Sequence, residues 1–135
     1  MFYGTRVPVF VQAEEVDAAR ERFYTVDEWA AVPDRQLRAI RGDEELVDGV
    51  RVVATPGHTR GHQSVVVEVE GEVVVIAAQA VWDVSEFEDE RAAEANVDAP
   101  ELREAAVGSI RRLKALDPVT AYFSHDPQVY RRTPS

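Results

Sequence analysis

An α/β fold follows from three features of the sequence: valine-rich stretches of strand length, turn dipeptides that join them in pairs, and amphipathic segments that interrupt them. At 135 residues and 45% hydrophobic content, the chain is long enough and apolar enough for one core, so residues 1–135 are expected to form a single domain. Residues 7–11 read as a short strand in which Pro8 suits a strand start or an edge, and 13–24 continue as an amphipathic helix. Thr25 and Glu28 have capping-box spacing, which predicts a second helix that starts just before Trp29 and stops at Pro33-Asp34. Phe23, Tyr24 and Trp29 then belong to the core.

Residues 37–41 read as strand, and 45–47 with 50–54 form a hairpin through Asp48-Gly49, a dipeptide that accepts positive φ. A second hairpin joins 64–69 to 72–78 through Glu70-Gly71. The polar, acidic stretch 82–99 reads as a surface excursion, with the run Glu86 to Glu90 as a solvated loop. Pro100 opens a helix that runs to about Leu116, with Leu102, Ala106, Ile110 and Leu113 on one face and Asp117-Pro118 as its stop. The last strand, 119–123, ends at Ser124-His125-Asp126 and leads into a polar tail.

Charge narrows the function. With 25 acidic against 15 basic residues the net charge is -10, which repels nucleic-acid phosphates and anionic membrane surfaces; the partner expected is a small-molecule substrate. There is no cysteine, so a metal would be held by imidazole, carboxylate or amide oxygen. No apolar run is long enough to span a bilayer, and MFYGTRVPVF lacks the basic start and apolar stretch of a secretion signal, so the expected location is cytoplasmic.

The segment ATPGHTRGHQS, 54–64, holds two of the three histidines, His58 and His62. Thr-Pro-Gly turns the chain off its strand, and Gly61 permits a second unusual backbone angle. One reading is that the imidazoles satisfy backbone groups in a tight turn; the other is that they face a divalent metal. His125 lies at another strand end and would converge with them if those strands share a sheet. Ser64 has no Gly-x-Ser-x-Gly elbow around it and reads as a strand-start hydroxyl.

TPGHTRGHQS resembles the TPGHTxGHxS motif of the metallo-β-lactamase fold, particularly its N-acyl-homoserine lactonase-like hydrolases. Downstream, GEVVVIAAQAVWDVSEFEDE, SIRRLKALDP and YFSHD resemble that group's hairpin and acidic loop, its next helix and the strand end carrying its last histidine ligand. VPVFVQAEEVDAAR resembles its segment after the first metal motif. The resemblance implies half of an αββα sandwich, a mixed sheet with helices on one face. It makes His58 and His125 metal ligands, with His62 and Asp126 supporting them from behind and one or two zinc ions as cofactor.

Two departures stand out. Gln79 occupies the place of the family's metal-bridging aspartate, which leaves it a neutral candidate ligand, and Trp82 replaces the lactonases' substrate-side tyrosine. The family's upstream HxHxDH motif is absent, so the chain is expected to correspond to the C-terminal half and to be impaired as given. Two readings follow: a metal-dependent hydrolase of an ester or lactone, or a non-catalytic half-domain that dimerises or pairs with a missing partner half through its sheet.

Overall fold

The structure is a computed structural model, and it describes residues 6–21, 32–97 and 99–134. β1 (Val9–Gln12) pairs in parallel with β2 (Leu37–Ile40), and α1 (Ala13–Ala18) runs directly out of β1. β3 (Glu44–Val47), β4 (Val50–Ala54), β5 (Gln63–Val69), β6 (Glu72–Ile76), β7 (Thr120–Tyr122) and β8 (Tyr130–Arg131) form one sheet in that order. Both predicted hairpins are present, with Gly49 at φ 74° and Gly71 at φ 81° in their turns. Neighbours run antiparallel except β6 and β7, whose parallel pairing makes the sheet mixed. A parallel pair needs a long crossover. Here it carries α2 (Val84–Asp89) and α3 (Arg103–Ala115).

The two faces of the large sheet differ. Val53, Val66, Val75 and Ala121 point to one side, where Phe87 of α2 and Ala106, Ile110 and Leu113 of α3 close over them in a single core. The helix face predicted for 100–116 is therefore the packed one. Register puts the opposite alternation, Val50, Val65, Val67, Val74, Ile76 and Tyr122, on the other face. There Ile76 and Tyr122 are exposed, as are Val47 and Val69 at its margins.

Four sequence expectations need correction, the first being the helix expected over 13–24, which ends at Ala18. Residues 82–99 are not a surface excursion: Phe87 is fully buried and Glu86 and Asn96 are each 3% exposed. Glu86 lies outside any solvated run because its carboxylate accepts the backbone N–H of Trp82 at 2.8 Å and of Ala93 at 2.9 Å. The tail is not free coil, since β8 adds an antiparallel strand beside β7. The second hairpin's outer strand stops at Ile76; Ala78–Ala80 instead form one 3-10 turn, which places Gln79 at the sheet's end. The helix predicted around Trp29 and the core roles of Phe23 and Tyr24 lie outside the described residues.

Candidate functional site

The histidine loop leaves β4 at Ala54 and re-enters the sheet at Gln63, and its stem is closed by Thr55 N–H donating to the His62 carbonyl at 2.9 Å. Two helices grip it. At Gly57, φ is 151° and a Cβ would lie 2.5 Å from Ala106 Cα in α3, while a Cβ on Gly61 would overlap the backbone of Glu15 in α1. The close approach explains both glycines. Ser109 of α3 donates to the Pro56 carbonyl at 2.7 Å, and the Glu15 carboxylate accepts the Thr59 hydroxyl at 2.7 Å and Gly61 N–H at 3.1 Å. Sequence reading missed Glu15 and Ser109, because contacts 46 and 53 positions apart leave no local pattern.

His58 is half-buried, and its Nδ1 lies 3.1 Å from the main-chain carbonyl of Asn96. A carbonyl only accepts, so Nδ1 carries the ring proton and the lone pair is on Nε2. His62 stands edge-on to it, ring centres 6.1 Å apart. His62 Nδ1 contacts Thr55 Oγ1 at 2.8 Å, Thr55 contacts Ser64 Oγ at 2.9 Å, and Ser64 donates to the Ala77 carbonyl at 3.0 Å. All three are hydrogen bonds only if protons run from His62 to Thr55 to Ser64 to that carbonyl. Ser64 is thus the structural hydroxyl expected, and His62 is tied into the sheet.

Burial, and then the neighbouring His58, lower the His62 pKa to about 4. Between pH 6.5 and 4 the unfolded chain therefore binds more protons at this position than the folded chain, and falling pH favours unfolding. Metal-free protein is expected to lose up to roughly 3 kcal/mol through this group across that window. Urea denaturation at pH 7, 5 and 4 checks it: His62→Gln should flatten the pH dependence relative to the unaltered chain, and equal slopes would contradict the assignment.

Around Gln79 a second cluster forms. Its Oε1 accepts Trp82 Nε1–H at 3.0 Å, the Ser124 hydroxyl at 3.2 Å and His125 Nε2–H at 3.2 Å. The indole can only donate, which sets the amide's orientation and makes His125 Nε2 a donor as well. Trp82 also packs on the His125 ring, centres 5.0 Å apart. Asn96 joins the two clusters: Nδ2 donates to the Gln79 carbonyl at 2.8 Å while its own carbonyl receives His58. Its Oδ1 is buried with no partner among the described residues, an omission that costs about 1–3 kcal/mol. No sequence pattern marked Asn96. Asp126 turns elsewhere, accepting Val84 N–H at 3.2 Å and Gln128 N–H at 2.8 Å, so it straps the start of α2 to the end of β7.

A chain of hydrogen bonds thus links His58 through Asn96 to Gln79, which receives Trp82 and His125, while His62 lies edge-on to His58. Among the described residues no three His, Asp or Glu side chains are grouped to hold a metal. The donors nonetheless fit zinc in kind. His58 carries its lone pair on Nε2, and His125 can present one there once it releases Gln79 and its ring proton moves to Nδ1. The Gln79 oxygen, already met by three donors, does not fit as a ligand.

The profile of the metallo-beta-lactamase superfamily matches residues 4–125. An N-acyl homoserine lactonase of Bacillus cereus is 34% identical over 126 residues, and one of Bacillus thuringiensis is 37% identical over 126; each alignment covers 90% of this chain and 48% of the relative. A solved N-acyl homoserine lactone hydrolase with N-hexanoyl-L-homoserine bound at its catalytic metal center superposes with TM-score 0.76 and 36% identity, over 91% of this chain and 48% of that one. The chain therefore spans about half the length of the relatives it matches.

Proposed function

This chain belongs to the metallo-beta-lactamase superfamily, and on that footing we propose that it is part of a zinc-dependent hydrolase that opens a lactone or a related ester. The observation that carries the reading is the His58 ring, whose proton is committed to a carbonyl so that its lone pair lies on Nε2, in a chain 34–37% identical to lactonases over 126 residues. His58 and His125 would hold the zinc, and the remaining donors would come from outside these 135 residues. When bound, the ion would supply an activated water and polarise the carbonyl.

The chain's own residues do the positioning. His62 backs the His58 loop through Thr55 and Ser64, Gln79 caps the His125 Nε2–H until metal takes its place, and the Trp82 indole offers an apolar wall beside that imidazole for the substrate's hydrocarbon part. A pH-stat assay on N-hexanoyl-homoserine lactone tests the reading. Slow opening that requires added Zn2+ and is lost in EDTA and in His58→Ala is expected; a rate unchanged by EDTA would set the hydrolase aside.

A second reading, pairing through the sheet face opposite the helices, starts from the exposed Val47, Val69, Ile76 and Tyr122 around the buried Val52. Apolar surface left in water costs about 25 cal/mol per Å², which favours a second copy seated on that face. Sedimentation velocity should then show a concentration-dependent dimer that Ile76→Lys disperses. A monomer at every concentration would dismiss it.

A further inference from the structure

We propose that Asn96 is a positioning residue for this centre: its side-chain amide, anchored on the Gln79 carbonyl, holds its own main-chain carbonyl where that oxygen fixes the His58 ring. The inference rests on the reading of His58 as a metal ligand, although its first readout needs no metal. Any residue has a carbonyl, so what makes this one specific is the anchor. Glu94–Asn96 is a single 3-10 turn, closed by Asn96 N–H to the Ala93 carbonyl at 3.0 Å and Val97 N–H to the Glu94 carbonyl at 3.3 Å. Those bonds shape the turn without placing it. The Asn96 amide at 2.8 Å is the bond that docks it against the Gln79 turn.

The orphaned oxygen strengthens the case. Asn96 is 3% exposed and half of its amide goes unmet among the described residues, a poor choice if filling volume were the task. The Gln79 carbonyl needs a donor, which also rules out the flipped amide. One side chain therefore ties the lone pair of His58 Nε2 to the residue that receives Trp82 and His125. Partners of this kind, which orient an imidazole, are worth 10–100-fold in metal affinity.

The test uses the 135-residue chain with 15N-labelled histidine, in which long-range 1H–15N spectra at neutral pH report which ring nitrogen carries the proton. His58 should be a single Nδ1–H tautomer; finding it as Nε2–H would overturn the proposal before any variant is made. In Asn96→Ala, and in the similarly sized Asn96→Asp, whose carboxylate cannot donate to the Gln79 carbonyl, the two tautomers should mix and Zn2+ should bind 10–100-fold more weakly. Ser109→Ala removes a different buried tie to the same loop and should leave the His58 tautomer alone. An unchanged tautomer and Zn2+ affinity in both Asn96 variants would overturn the proposal, as would an equal tautomer shift in Ser109→Ala. A chain that binds no Zn2+ but whose His58 responds to Asn96 as described would remove the zinc reading and leave this one standing.

Discussion

Phe87→Ala is expected to destabilise the fold by about 3–5 kcal/mol, enough to leave much of the chain unfolded at moderate urea concentrations. Phe87 is fully buried, its ring lies 5.5 Å from that of Phe123 and 5.0 Å from that of Tyr130, and it shares a core with Ile110 and Leu113. Removing it would leave a cavity among Phe123, Tyr130, Ile110 and Leu113. Equilibrium urea unfolding followed by circular dichroism checks this. A loss below about 1 kcal/mol would mean that α2 is peripheral, as its acidic sequence suggests.

That residue also marks where sequence reading stopped. The hairpins at Asp48-Gly49 and Glu70-Gly71 and the core face of α3 were legible because each is written within a dozen neighbouring residues: alternating valines, a turn dipeptide, a 3.6-residue stripe. VSEFED carries its apolar contribution on one phenylalanine among acids, and its N-cap Asp83, which accepts Glu86 N–H at 2.8 Å, looks like one more surface carboxylate. Glu86 is buried because it satisfies two backbone N–H groups, four positions before it at Trp82 and seven after it at Ala93. Charge alone cannot distinguish that use from solvation. β8 was hidden for another reason, since two residues are too few to show a period and take their strand form from β7.

At the candidate centre the same division holds. His58, His62, Gln79, Trp82 and His125 stood out in the sequence because they lie in motifs that read as wholes. Glu15, Asn96 and Ser109, which grip the loop or its ring from other elements, had no signal of their own. The buried Asn96 Oδ1 without a partner is the kind of feature that only coordinates reveal.

The largest effect expected concerns the metal itself. His58→Ala removes the nitrogen already presented, and His125→Ala removes the one that Gln79 releases on binding, so the double variant keeps no imidazole at the centre except His62, which is bonded to Thr55. Neither imidazole belongs to the apolar core, so the double variant should fold. Two imidazoles make a shallower site than the three protein ligands of a typical catalytic zinc, and loading should be sensitive to chelators. Gln79→Ala frees His125 and should not weaken binding, which separates a glutamine that only caps the His125 ring in the metal-free chain from a ligating one.

The most direct measurement is elemental analysis of the unaltered chain and the His58→Ala, His125→Ala double variant, both purified without chelator and equilibrated with Zn2+. About one zinc per unaltered chain, with none retained by the folded double variant, is the result predicted; equal zinc in the two proteins would contradict a metal centre built on these imidazoles.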